Sequence, residues 1–235
     1  APPAAARPVG PQVSNWQPRP HPERRNFTGR YCRIEPLDPT AHATPLYETL
    51  CDPANDALWT YLLTQPPATP EEWQQRLVNY TLFRDPLYFT LFNEEGRAAG
   101  ITSYLRIVPE HGVIEVGHIH LSPWLQQTRA ATEFQYLLMR HAFDDLGYRR
   151  YEWKCDSLNA PSRRAALRLG FRFEGIFRKA IVYKGRSRDT AWYSIVDDEW
   201  AAVRQVFEAW LAPENFTSDG RQLRSLASLR PQAER

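Results

Sequence analysis

Apolar positions recur along this chain with two periods, and the switches between them mark out the elements. Over 130–146, Phe134, Leu137, Leu138, Ala142 and Leu146 fall at helical spacing and Gly147 is placed to end the run, which predicts a long helix. Helices are also predicted over 45–50 and over 70–82, where Thr69 can cap and Pro70 suits the first position. Two more are predicted over 160–169, between Asn159 and Gly170, and over 198–210. The last carries Trp200, Val203, Phe207 and Trp210 on one stripe and is expected to cover an edge of a sheet.

The runs between these helices are rich in β-branched and aromatic residues. Residues 31–37, 87–93, 98–108, 113–121, 151–155, 171–176 and 190–196 read as strands. The links Glu94-Glu95-Gly96 and Pro109-Glu110-His111-Gly112 are short enough for antiparallel hairpins. The pattern is mixed α/β. One catalytic-sized domain is expected over 27–211, between a proline-rich extension over 1–26 and a polar tail over 212–235 that reads as loose or weakly helical.

Composition narrows the function classes. With 29 Lys+Arg against 27 Asp+Glu, no large field of one sign draws the chain to nucleic acid or to an anionic membrane. No run approaches the roughly 18 apolar residues of a membrane span. Cys32, Cys51 and Cys155 are odd in number and lack a C-x-x-C or His companion, so neither a metal site nor a disulfide framework is expected. Reduced thiols fit a cytoplasmic protein. The extension contains Pro2, Pro3, Pro8, Pro11, Pro18, Pro20 and Pro22, which prevent helix. Its Trp16 is costly to leave in water, so the arm is expected either to be disordered or to pack, on its own domain or on a neighbouring copy. The last option would make a homodimer.

Four motifs in order carry candidate chemistry: Glu115-Val116-Gly117-His118-Ile119; Gln126-Gln127-Thr128-Arg129-Ala130-Ala131-Thr132-Glu133; Asn159-Ala160-Pro161-Ser162 with Leu169-Gly170-Phe171; and Arg188-Asp189-Thr190. Together, over 113–200, they resemble the acetyl-CoA-binding core of the GNAT superfamily, in its RimJ/RimL-like branch. The resemblance implies a central, mostly antiparallel twisted sheet, splayed at the acetyl-CoA site and flanked by helices. It further implies direct acetyl transfer from acetyl-CoA to a primary amine: a protein N-terminus, an amino-acid-like metabolite, or an amine antibiotic or toxin.

Candidate residue roles come partly from the physics of such a site and partly from what the resemblance implies. A strand ending at Ser122-Pro123 and feeding a long helix offers free N–H groups and a positive dipole end to a pyrophosphate. Contacts are therefore expected from Gln126, Gln127, Thr128, Arg129, Ala130, Ala131 and Thr132. The family's loop reads basic-x-x-Gly-x-Gly/Ala; here Gln126 replaces the basic residue, Arg129 the first glycine, and Ala131 keeps the last small position. These departures motivate the competing reading, a non-catalytic acyl-CoA-binding sensor or scaffold. Thr128 can cap the helix and offer its hydroxyl to phosphate. Asn159 and Arg164 are expected on the CoA arm, with Arg163 and Arg168 nearby.

Glu115 is the candidate general base, acting through water, and the resemblance implies that Ser162, which matches the serine of the RimJ/RimL-like branch near the sulfur, hydrogen-bonds the departing thiolate. Backbone groups of Ile119, His120 and Leu121 are expected along the acyl chain, with an N–H near Ile119 or His120 on the thioester oxygen. His118 and His120 share one strand face and are alternative bases. Trp59, Tyr88, His118 and Trp124 are expected at the acceptor cleft. Asp189 is assigned a structural role at a hairpin after Lys184-Gly185.

Overall fold

The structure is a computed structural model that describes residues 7–231. Pro2 and Pro3 of the extension and residues 232–235 of the tail lie outside them. Eight strands form one sheet: β1 (Phe27–Thr28), β2 (Arg33–Pro36), β3 (Leu87–Phe92), β4 (Ala98–Val108), β5 (Val113–Leu121), β6 (Arg150–Asp156), β7 (Arg172–Tyr183) and β8 (Arg186–Val196). They lie in chain order, except that β8 sits between β6 and the edge strand β7. Every neighbouring pair is antiparallel but β5 and β6. A parallel pair needs a crossover, and the helix α3 (Arg129–Arg140) supplies it.

Helices α1 (Pro39–Leu50), α2 (Pro70–Tyr80), α4 (Ala160–Leu169), α5 (Asp197–Leu211) and the short α6 (Leu226–Leu229) complete the chain. Alternation along β3 divides the core between the two faces of the sheet. Phe89 joins Tyr104, Phe134, Leu138, Tyr151, Ile195 and Phe207 under α3 and α5. Tyr88 joins Leu46, Leu50, Trp59, Trp73, Leu77 and Ile101 under α1 and α2. Each such large side chain, fully buried, contributes about 1.5–3 kcal/mol.

Four elements differ from the sequence expectation. Helix α1 starts at Pro39 rather than Pro45, because Asp38 Oδ1 accepts from Thr40 N and Ala41 N (2.8 and 3.2 Å) and Pro39 takes the first position. Pro45 is carried inside the helix. The predicted 130–146 helix is α-helical only to Arg140 and widens into a π turn over His141–Asp145, where Asp144 Oδ1 accepts from Trp200 Nε1 (2.7 Å).

Strands β7 and β8 run far past the predicted 171–176 and 190–196. They meet at a two-residue turn, Lys184-Gly185, with φ of 50° and 70°, the left-handed pair such a hairpin needs. Charged residues hid their length, since β7 is an edge strand exposed on both faces. Asp189 is structural as expected: its Oδ1 accepts from Lys179 N (2.7 Å) at the β7 bulge.

Described parts of both the extension and the tail pack on the domain. Trp16 donates from Nε1 to Glu110 O (2.8 Å), and its ring fills the space left by Gly112, where a Cβ would come within 2.6 Å. From Trp16 onward the arm thus lies on its own chain. In the tail, Asn215 is buried; its amide bonds Trp210 O, Arg224 O and Arg224 N (2.9, 3.1 and 2.9 Å). One side chain thereby satisfies backbone groups that have no sheet partner, and the described part of the tail is weakly helical, as one of the two expectations had it, with the single turn α6 packed on the domain.

Candidate active site

The parallel pairing of β5 with β6 runs Val113↔Arg150, Ile114↔Tyr151 and Glu115↔Glu152 and then stops, so the two strands diverge directly after Glu115. A cleft of about 2000 Å³ opens there. On its other side β5 stays paired to β4, with Ser122 N donating to Ala99 O (2.9 Å). Alternation then turns the N–H and C=O groups of Ile119 and Leu121 toward the gap left by β6. Leu121 O already accepts from Gln126 Nε2 (2.8 Å). The bare strand edge at Ile119 suits an extended, amide-bearing chain.

Bulging shapes β5 further. His118 takes φ of 48°, and the register with β4 shifts between Gly117 and His120. Both histidine rings turn to the α1–α2 face: His118 stacks on Tyr88 at 5.0 Å and accepts or donates at Nδ1 with Ser103 Oγ (2.8 Å), and His120 meets the Trp59 edge at 4.5 Å. Burial depresses both to about 4, so both are neutral near pH 7. His120 Nε2 is buried without a partner among the described residues.

Glu115 is 6% exposed and lines the cleft. Its Oε2 accepts from Lys154 Nζ (2.7 Å), with Arg106 Nε at 3.6 Å. Burial pushes its carboxyl up, against the pull of the Lys154 ammonium. Lys154 also donates to Glu152 Oε2 (2.7 Å) and lies 3.8 Å from the centre of the Trp192 ring.

Two helix starts face the cleft. At α3, Thr128 Oγ1 accepts from Ala131 N (3.2 Å) and donates to Leu125 O (2.7 Å). It caps as predicted, but its proton is spent, so the expected donation to phosphate is not available. Arg129 leaves the cradle: its guanidinium is held bidentately by Glu94 (2.7 and 2.6 Å) and lies 4.2 Å from the centre of the Tyr31 ring. At α4, Asn159 Oδ1 caps Ser162 N (3.1 Å), and Ser162 Oγ accepts from Trp153 Nε1 (3.0 Å). With that lone pair filled, the hydroxyl proton points elsewhere.

The cleft wall therefore brings together Glu115, His118, Ile119, His120, Leu121, Gln126, Gln127, Thr128, Arg129, Ala131, Thr132, Asn159, Ser162 and Arg164. Four expected residues are not on it. Ala130 is buried in the core beneath α3. Trp59 and Tyr88 are core residues, Trp59 bonded to Leu50 O (3.1 Å) and Tyr88 stacked on Tyr80 at 4.2 Å. Trp124 is 56% exposed on the surface, its ring covered by Arg97. Aromatic size argued for packing more strongly than for ligand contact. Of the arginines on α4, Arg163 is tied to Tyr193 Oη and Ser157 O (both 3.1 Å) and Arg168 to Thr132 Oγ1 (3.0 Å).

The sequence reading missed Lys154, Glu152 and Trp192. The alternation Arg150-x-Glu152-x-Lys154 on one strand was the available signal. It also missed the tail segment 218–222, which walls the cleft near Arg129 and carries no local signature.

Comparison with known proteins agrees with this geometry. The acetyltransferase (GNAT) domain family matches residues 32–172. A GCN5-related N-acetyltransferase from Brucella melitensis is 48% identical in its crystal structure, which covers 93% of this chain and 99% of its own at a TM-score of 0.91. The chain belongs to the GNAT acetyltransferase family, a family of acyltransferases. The mixed α/β sheet splayed between β5 and β6 is the fold expected of it.

The N-acetyltransferase YnaD of Bacillus subtilis, an uncharacterized protein, is 26% identical over 110 residues, covering 47% of this chain and 64% of its own length. The ribosomal-protein-S5-alanine acetyltransferase of Vibrio fischeri, at 20% identity and a TM-score of 0.61 over 74% of this chain and 98% of its own, shares the fold. Members of the GNAT family use acetyl-CoA as co-substrate. The bare edge of β5 and the capped start of α3 fit its amide-bearing arm and its phosphates. Among the described residues, no group of three or more His, Cys, Asp or Glu is arranged to hold a metal, and no helix is long and apolar enough to cross a membrane.

Proposed function

We propose that this GNAT protein is a cytoplasmic N-acetyltransferase that moves the acetyl group of acetyl-CoA directly to a primary amine. The observation that carries the reading is the divergence of β5 from β6 immediately after Glu115, which leaves a buried carboxylate at the head of a cleft floored by an unpaired strand edge. Acetyl-CoA supplies an activated acyl group; the chain's own residues hold and move protons around it. Glu115 takes a proton from the incoming ammonium through water, so that the free amine can attack. Ile119 N–H donates to the acyl oxygen as charge develops there, and Ser162 Oγ–H donates to the departing sulfur, its orientation set by Trp153. The neutral His118 and His120 are less suited as bases, because depression to about 4 leaves them weak.

The acceptor side supports an amine carried next to an apolar or planar group. Leu58, Tyr61, Leu62, Leu63, Phe177, Ile181 and Trp192 line it, together with Arg106 and Arg188. The carboxylates on this wall are engaged, Glu115 by Lys154 and Asp156 by Tyr183 Oη (2.9 Å). With both acids partnered and Arg106 and Arg188 beside them, this wall is poorly suited to a polycationic acceptor. A protein N-terminus, an amino-acid-like metabolite and a planar amine toxin all satisfy this description, the first in keeping with a RimJ/RimL-like branch.

Thiol release from acetyl-CoA with N-terminal peptides, amino acids and amine antibiotics tests the reading. Release that depends on one acceptor class and is weakened by Glu115→Gln and by Ser162→Ala is the expected result. Binding of acetyl-CoA with no release for any amine would overturn it in favour of an acyl-CoA-binding sensor or scaffold.

A further inference from the structure

Charged side chains alternate in sign across one face of the sheet beside the cleft. Glu115 on β5 bonds Lys154 on β6; Lys154 bonds Glu152; Glu152 Oε1 accepts from Arg150 Nε (2.7 Å); and Arg150 forks onto Glu174 of β7 (2.7 and 2.5 Å), which also accepts from Ser194 of β8 (2.6 Å). Arg106 of β4 approaches Glu115 from outside, with its side chain 62% exposed. The Lys154, Glu115 and Glu152 side chains are only 8%, 7% and 9% exposed. A chain of buried charges is costly unless each member is paired, and here each is.

We infer that Lys154 is a positioning residue, which holds the Glu115 carboxylate charged and fixed with one oxygen anchored and the other left for the cleft. The inference rests on the reading of Glu115 as the base. Two donors of the Lys154 ammonium go to Glu115 Oε2 and Glu152 Oε2, and the ammonium lies 3.8 Å from the centre of the Trp192 ring. Lys154 is thus committed between two acids and an aromatic face. Glu115 Oε1 is the oxygen left over. It lies on the side of Gly117, 3.5 Å from where a Cβ would stand, in contact range of the strand that turns toward the gap.

The arrangement makes predictions of opposite sign for the two partners. Burial raises the Glu115 carboxyl, Lys154 and Arg106 lower it, and Glu152 raises it. Removing Lys154 must therefore raise the midpoint of Glu115 further, and removing the charge of Glu152 must lower it.

The test is a titration of the full chain with ¹³C-labelled glutamate carboxyl groups, followed by NMR and assigned with Glu115→Gln. Wild type is expected to titrate above the ordinary 4.5. Lys154→Met should shift the midpoint up by roughly 1–3 units, the range of a lost opposite charge at contact, and Lys154→Arg should restore most of the shift. Glu152→Gln should shift it down; because it keeps the side chain's shape, it decides the matter alone if Lys154→Met does not fold. Unmoved midpoints in the variants that fold would overturn the inference. The acid limb of the kcat/KM profile, measured with whichever panel amine is turned over fastest, should move with the NMR midpoint. If no amine is turned over, the catalytic reading fails while the titration still decides what Lys154 does to Glu115.

Discussion

Two ion pairs line the same cleft and mean different things. At the start of α3, Arg129 and Glu94 form a bidentate pair whose side chains keep 22% and 33% of their exposure; where β5 leaves β6, Lys154 with Glu115 and Glu152 is buried to below a tenth. Water screens the first pair, so breaking it costs little and its partners can be exchanged. The second has no water to replace a lost partner, so its geometry is held. The contrast suits a site that must admit a polyanion at one end and keep one carboxylate in place at the other.

The sharpest way to break the comparison is Glu115→Gln, which removes the acid while keeping its shape. It should lower acceptor-dependent thiol release by about 10²–10⁴-fold with acetyl-CoA affinity nearly unchanged in calorimetry; equal loss of both would mean that the residue holds the cleft together instead. Next in size is stability. Lys154→Met takes the ammonium from between two buried carboxylates, of which Glu152 keeps Arg150, and should cost about 3–5 kcal/mol in urea unfolding, whereas Arg129→Met at the other end should cost under about 1 kcal/mol.

Acid should also divide the molecule. His118 and His120 are depressed to about 4 from an ordinary 6.5, so between those values the unfolded chain binds protons that the folded chain refuses. Stability is then full above about pH 6.5 and is lost as pH falls toward 4. Melting scans should show this fall, flattened in His120→Gln and in His118→Gln. The smallest effect is expected at the loop: Glu94→Gln frees Arg129 and removes a negative charge from the phosphate end, which should tighten acetyl-CoA binding by about 2–5-fold, most visibly at low salt. Weaker binding in that variant would instead mean that Glu94 keeps Arg129 out of the cradle's way.

What was legible in the sequence follows from the range of each interaction. Asn159, Thr128 and Thr69 act within three residues of themselves, and all three cap as read. Glu115 and Ser162 sit in motifs whose spacing is set by a strand and a helix start, and both reach the cleft. Trp59, Tyr88 and Trp124 lie off the cleft wall because nothing local says which side of a strand or loop will be covered; α1 and α2 close over the first two, and the third stays on the surface with only Arg97 over its ring.

The chain's own periodicity and caps determined which segments are strands and helices, and its motifs determined that one strand-to-helix step would open on the cleft. Those are local matters, settled by backbone geometry and near-neighbour hydrogen bonds. Only the tertiary structure decided that Lys154 would stand between Glu115 and Glu152, that Arg129 would be drawn off by Glu94, and that the tail would wall the cleft. Each joins residues far apart in sequence, and a charge's partner is known only once burial has removed water as the alternative.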